Sequence, residues 1–367
     1  MSKKRIIYLD VIRILACLMI IAMHAPIPGT GLGSIVLSSD SLLTAPGIGL
    51  FIMVSGALLL PVNLTTKDFL CRRLGKVVWP TLIWSFIYWG VAPWTFAVNR
   101  GNGLSSLLSI PFAAQFNGVL WFMYMLIGLY LLAPILSSWL VKASRREVEF
   151  YLGVWAVTMC YPLIRNLIVV NESNTGILYY FGGYVGYFLL GYYLRHYAVR
   201  MKLLLCTLLI MLPVSLGAYC KICNVQVNFF DLFYYLSILT ALAATGWFLA
   251  VHRVVPEYDD NNRLHRALVL ISNCSFGIYL CHIFIMRGLL WHWDVLRQMG
   301  GVTQIAVTTV LTFVGALLLT LLISYLPGAQ YIIGFKSSIR LMVYRLPLRR
   351  FTCLQLKYWF IVYGIRI

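Results

Sequence analysis

Asp10, Arg13 and His24 lie in one otherwise apolar stretch, LDVIRILACLMIIAMH, at residues 9–24. An ionisable side chain inside a membrane-spanning helix costs about 2.5–3.5 kcal/mol on insertion scales, so three in one stretch call for a use. Arg13 and His24 are almost three helical turns apart. In a helix they share one stripe, roughly 16 Å apart along its axis. Asp10 sits one turn before Arg13, where the two can pair. A neutral imidazole can take a proton from a hydroxyl near neutral pH, and a guanidinium binds anions through two parallel hydrogen bonds. A blander arrangement also fits: Asp10 and Arg13 near the interface orient the helix, and His24 is satisfied by a neighbouring carbonyl.

Three other groups of residues have chemical potential. The segment CRRLGK carries Arg72, Arg73 and Lys76, which share a face if the segment is helical and then suit phosphates. From this loop alone, ordinary positive-inside charge is the better explanation. His282, in SFGIYLCHIFIM, is expected at the same depth as His24. Trp121, Phe122, Tyr124, Tyr130, Tyr179, Tyr180, Tyr184 and Tyr187 are mostly interfacial belt or packing, though a few could stack on sugar rings. No P-loop, GxSxG, HExxH or dinucleotide fingerprint is present. No metal site is expected. Cys220 and Cys223 form a lone CxxC with too few ligands for structural zinc, and read either as a disulfide on an oxidising face or as two unrelated thiols. With only 11 acidic residues, few of them in apolar runs, a pump built on membrane carboxylates is disfavoured.

These residues must be positioned by membrane helices. The chain of 367 residues is 61% hydrophobic and 11% charged, with mean hydropathy +0.85, whereas soluble chains carry about 25% charged residues. At ~20 residues per span the pattern predicts an all-α polytopic membrane protein of about ten transmembrane helices. The spans are expected near 6–25, 42–61, 77–97, 119–140, 148–169, 177–194, 203–220, 231–250, 267–290 and 302–326. MSKKRII imitates the charged region of a signal peptide, but Asp10 and Arg13 interrupt the apolar run, so the first segment reads as a retained span.

With both termini cytoplasmic, every Lys and Arg falls on the inner side except Arg100, Lys221 and Arg297 outside and Arg13, Arg165 and Arg287 within spans. The +18 charge therefore points to membrane lipid headgroups rather than nucleic acid. Residues 1–330 read as one transmembrane domain and 331–367 as a basic cytoplasmic tail. In the second span Gly47, Gly49, Ser55, Gly56 and Ala57 predict close helix contact or a local break. No internal repeat is evident, which weakens an inverted-repeat transporter.

Several segments, in order, resemble the membrane acyltransferase-3 family of bacterial O-acyltransferases. LDVIRILACLMIIAMH resembles its opening Arg–His motif, and LFIMVSGALLL its Ser–Gly segment. FLCRRLGKVVWPTLIWS is similar to its basic loop and proline-bearing helix, and LWFMYMLIGLYLLAPIL and SFGIYLCHIFIM to its later Trp–Phe and Tyr-x-x-His segments. The form is most similar to the enterobacterial-common-antigen O-acetyltransferase branch.

The resemblance implies a multi-pass inner-membrane enzyme. It would move an acyl group from cytoplasmic acyl-CoA, usually acetyl-CoA, to a hydroxyl of a periplasmic or cell-surface glycan or lipid-linked oligosaccharide. Acyl-CoA would be a co-substrate, with no permanently bound cofactor. His24 would be the essential histidine, as base or transient acyl carrier, with Arg13 its companion and Asp10 fixing Arg13. Arg72, Arg73 and Lys76 would meet the CoA phosphates, with Lys76 standing where many members have Arg. Ser55, Trp121, Tyr279 and His282 would line the site. The alternatives are a transporter or flippase of a lipid-linked sugar or small anion, and a non-catalytic subunit of a glycan synthase.

Overall fold

The computed structural model describes residues 5–95, 103–112, 114, 120–165, 176, 178–256 and 263–335. Among them the regular elements are helices, with no β-strand. In chain order they are α1 (Ile7–His24), α2 (Ser34–Thr44), α3 (Pro46–Leu59), α4 (Thr66–Thr95), α5 (Gly103–Ser109), α6 (Trp121–Leu140), α7 (Arg145–Met159) and α8 (Tyr161–Arg165). These are followed by α9 (Val185–His196), α10 (Leu203–Ile222), α11 (Phe229–Phe233), α12 (Ile238–Val254), α13 (Arg263–Gly288), α14 (Asp294–Arg297), α15 (Gly301–Ser324) and α16 (Ala329–Ile333).

Seven stretches are long and apolar enough to cross a membrane: α1, α2–α3, α6, α10, α11–α12, α13 with the turn after it, and α15. The other three expected spans take different forms. The third lies within α4, which is 30 residues long but begins in the charged loop and is diluted by Trp79, Trp84 and Trp89. The fifth is divided into α7 and α8 at Cys160, just before Pro162, and its end lies outside the described residues. The sixth is helical only from Val185, because Gly182 and Gly183, the latter at φ +79°, follow a single 3-10 turn at Tyr179–Phe181. Part of the expected loop after α1 is helical instead, as α2. Of the expected tail at 331–367, residues 336–367 lie outside the described residues, and its first residues complete α16. α16 packs on α4, where Trp84 Nε1 donates to the Ile332 carbonyl at 3.0 Å.

The centre is built on α1 and α3. In α3 the run Ile48–Val54 is buried on every face, so this helix lies among others. Its glycines make close contact rather than a break. A Cβ at Gly56 would run into the Phe188 carbonyl of α9, and one at Gly191 of α9 into the Met53 carbonyl. The two backbones touch, as small residues allow. Arg195 then donates to the Ala57 carbonyl, one of the orphan acceptors at the end of α3. At the periphery, Val310, Val314, Leu318 and Leu322 form an exposed apolar stripe along α15, as expected of a lipid-facing surface.

Candidate active site

α1 and α13 run side by side in the same direction. Arg13 lies beside Ser272, Cys17 beside Ser275, and His24 beside His282. The polar groups of α1 therefore form two centres at opposite ends of one interface. Between them Cys17, Ile20 and Ile21 are buried.

The first centre gathers around Asp10 and Arg13. Asp10 is within electrostatic reach of Arg13, as expected, but its direct ion pair is with Arg5. Asp10 takes a two-point contact from Arg5, Nε to Oδ2 at 2.6 Å and Nη2 to Oδ1 at 2.9 Å. Arg5 precedes α1 on extended backbone at Ile6, which lets its long side chain fold back along the first turn. Arg5 also donates to Asn273 Oδ1 at 2.9 Å. Ser272 stands between the two expected partners: its hydroxyl donates to Asp10 Oδ1 at 2.5 Å and lies 3.4 Å from Arg13 Nη1. Tyr130, buried in α6, is within electrostatic reach of Arg13 and Arg73 and lies near Ser55, whose hydroxyl donates to the Phe51 carbonyl at 3.0 Å. Arg72, Arg73 and Lys76 are all exposed on the first turns of α4, so the segment is helical. Of the three, Arg73 is the one within electrostatic reach of Arg13.

The second centre gathers around His24 and His282, whose ring centroids are 5.6 Å apart. Their common depth is thus a direct contact. His282 is buried, and its Nδ1 lies 2.5 Å from the Tyr279 carbonyl. A carbonyl only accepts, so Nδ1 carries the proton and Nε2 presents a lone pair. That Nε2 is buried with no hydrogen-bond partner among the described residues. The Tyr279 ring lies tilted 5.5 Å from His282 and meets Phe122 edge-on at 5.3 Å. Arg287 is within electrostatic reach of both histidines and lies over the Trp291 ring at 4.9 Å.

Two side chains hold this centre in place. α1 stops at Pro26 and Pro28, leaving orphan backbone groups just after His24. Gln304, fully buried in α15, meets them: Nε2 donates to the Ala25 carbonyl at 3.0 Å, and Oε1 accepts from Ile27 N–H at 3.4 Å. On the other side Tyr88 of α4 enters the backbone ladder of α13. It donates to the Leu280 carbonyl at 2.7 Å and accepts from Phe284 N–H at 3.2 Å, bracketing His282.

The candidate residues thus divide. Asp10, Arg13, Ser55 and Arg73 meet at the first centre, with Arg72 and Lys76 exposed nearby on α4. His24, Tyr279 and His282 meet at the second. Trp121 is one step removed, stacked on Tyr235 at 5.3 Å and against Tyr184 at 5.4 Å. Sequence reasoning missed Arg5, Ser272, Tyr88, Gln304 and Arg287 as parts of these centres, and took Tyr130 as one of a group of belt, packing or sugar-stacking aromatics. Arg287 and Gln304 did carry a signal, a charge and an amide next to apolar runs. Tyr88 carried none. The CxxC cysteines are both free, Cys220 buried in α10 and Cys223 exposed at its end. Among the described residues no three His, Cys, Asp or Glu gather as metal ligands do.

An imidazole with a free lone pair, a second imidazole and a guanidinium together can accept a hydroxyl proton and stabilise an oxyanion. Comparison with curated proteins and with solved structures gives no match. A family model described as an acyltransferase domain, that of the acyltransferase-3 family, matches residues 6–328. Nearly the whole described fold, with both centres apart from Arg5, lies in that match, and the chain belongs to the acyltransferase-3 family as a membrane acyltransferase.

Proposed function

We propose that the chain is an O-acyltransferase that moves an acyl group, most often acetyl, from cytoplasmic acyl-CoA to a hydroxyl of a periplasmic or cell-surface glycan. The His24–His282 contact, with its unpartnered Nε2 and nearby Arg287, carries this reading. In this reading ten spans cross the inner membrane with both termini inside, as in the enterobacterial-common-antigen branch. Arg72, Arg73 and Lys76 hold the CoA phosphates at the cytoplasmic mouth, and Arg13 guides the pantetheine arm inward. The arm delivers the thioester across the roughly 16 Å of α1 that separates Arg13 from His24.

The reaction is direct. His24 takes the proton of the acceptor hydroxyl as its oxygen attacks the thioester carbonyl carbon. Arg287 stabilises the oxyanion. The C–S bond then breaks, and the CoA thiolate takes the proton from His24, leaving a glycan ester and free CoA. His282, locked by the Tyr279 carbonyl, orients His24.

The test is transfer of label from radiolabelled acetyl-CoA to cell-surface glycan by the purified chain, with free CoA thiol measured alongside. Wild type should release thiol and label the glycan, and His24→Ala should do neither. Full transfer by His24→Ala overturns the role of that residue. Movement of a lipid-linked sugar or anion without thiol release would establish the transporter reading instead.

A further inference from the structure

A basic cavity of about 240 Å³ lies between α10 and α12, at the end of the molecule where α1 begins. Arg200 and Met201, from the segment between α9 and α10, line it together with Leu249, His252 and Arg253 of α12. The cavity forms where two packed helices come apart. α10 and α12 are in backbone contact at Gly246, where a Cβ would meet the Cys206 carbonyl at 2.7 Å. Beyond that contact α12 continues for about two turns to Val254, whereas α10 starts only at Leu203. The His252 ring also reaches α1, lying 4.4 Å from Tyr8.

The groups around this cavity suit an anion. Two guanidiniums from separate segments share it, and among the described residues neither forms an ion pair and no carboxylate lines the walls. A guanidinium fork matches phosphate oxygens in pairs. The start of α10 adds to the field, because no side chain caps it at Lys202 and open N–H groups at a helix N-terminus favour an anion. Positive-inside bias explains basic residues at helix ends, but not two of them in one cavity. The volume falls below the range of about 300–1,000 Å³ usual for drug-sized ligands, so it suits a head group rather than a nucleotide. The neighbouring surface points to a lipid as its source. Leu204, Leu208, Leu212 and Leu216 form one exposed stripe along α10, the kind of surface that faces acyl chains, and Arg200 and Lys202 stand at its head.

We propose that this cavity holds the phosphate of an anionic phospholipid, in the leaflet where α1 begins, with an acyl chain along the α10 stripe. Arg200 and Arg253 bind the phosphate oxygens, as basic pockets between spanning helices do for lipid head groups. The site does not depend on the acyl-transfer reading.

Native mass spectrometry of the delipidated full chain tests it, with phosphatidylglycerol and phosphatidylcholine of matched acyl chains as probes. Wild type should retain one phosphatidylglycerol per chain at concentrations where phosphatidylcholine leaves no adduct. Arg200→Gln combined with Arg253→Gln should weaken that retention about 30-fold, from the loss of two cations at a membrane surface. Lys142→Gln combined with Arg146→Gln makes the same charge change at two exposed positions elsewhere and should match wild type. Equilibrium dialysis with radiolabelled inorganic phosphate should show no binding that the Arg200/Arg253 variant loses. Equal retention of the two lipids, undiminished retention in the Arg200/Arg253 variant, or an equal loss in the Lys142/Arg146 variant overturns the proposal. Inorganic phosphate that binds through the two arginines, with no selectivity between the lipids, overturns the lipid as occupant.

Discussion

Gln304→Leu removes the tie between α15 and the end of α1 while keeping most of the side-chain volume. Two backbone groups lose their partner, the Ala25 carbonyl and the Ile27 N–H, and Thr308 Oγ1 loses its 2.9 Å contact. Each interhelical hydrogen bond in a membrane bundle averages about 0.6 kcal/mol, and an unsatisfied buried group in a protein core costs about 1–3 kcal/mol. Thr308 can turn to a backbone carbonyl one turn back, so the expected loss comes from the two α1 groups and runs from about 1 kcal/mol, two bonds at the membrane average, to about 2–6 kcal/mol if both stay unsatisfied. The kinetic effect should be larger. His24 is one residue before Ala25, and displacing a catalytic group by about 1 Å costs on the order of 10²-fold in rate. The assay is thiol release from acetyl-CoA with acceptor present, alongside a melting curve in detergent. We expect kcat to fall about 100-fold with KM for acetyl-CoA little changed, since the CoA end is proposed to sit at the other centre. Wild-type kcat in a variant that merely melts earlier would refute the claim that Gln304 positions His24.

Further outcomes follow from individual contacts. Thr312→Val removes a buried hydroxyl with no hydrogen-bond partner among the described residues, so the melting temperature should stay level or rise; a clear fall contradicts the assignment. Gly56→Val drives a side chain into the Phe188 carbonyl and should cost at least about 1–3 kcal/mol, seen as lost yield or early melting. Arg73→Gln should raise KM for acetyl-CoA about 10- to 100-fold, the equivalent of about 1.5–3 kcal/mol for a bond to a charged group, with kcat kept. Arg72→Gln should do less, because Arg73 is the one that faces Arg13 and Tyr130.

The helical membrane architecture was legible because apolar runs and charged loops are written locally. So were the odd polar residues, since Arg13, His24 and His282 stand out in apolar runs. Their mutual arrangement was half legible. Helical periodicity placed Arg13 and His24 on one stripe and gave His282 the depth of His24. It could not show that α1 and α13 are neighbours. Asp10 lies within electrostatic reach of Arg13 as the spacing within one helix expects, but that spacing is blind to partners outside the helix; Arg5 and Ser272, which bond Asp10 directly, both come from outside α1. Gln304 and Tyr88 were not legible as supports, because each acts on the backbone of a distant helix and a backbone group has no sequence signature. The sixth expected span shortened because the aromatic residues of Tyr179–Tyr184 read as a continuation of the apolar run while Gly182 and Gly183 break the helix there.

The central claim is that one CoA ester bridges two centres built at opposite ends of the α1–α13 interface. An experimental structure of the full chain with a non-hydrolysable acetyl-CoA analogue, its thioester replaced by a ketone, addresses it without relying on activity. We predict CoA phosphates against Arg73 and Lys76 and a carbonyl carbon far along α1, where an acceptor hydroxyl held by His24 would lie about 3–3.5 Å from it. A ligand bound away from α4, or one whose carbonyl stops at Arg13 and never reaches His24, would contradict the account.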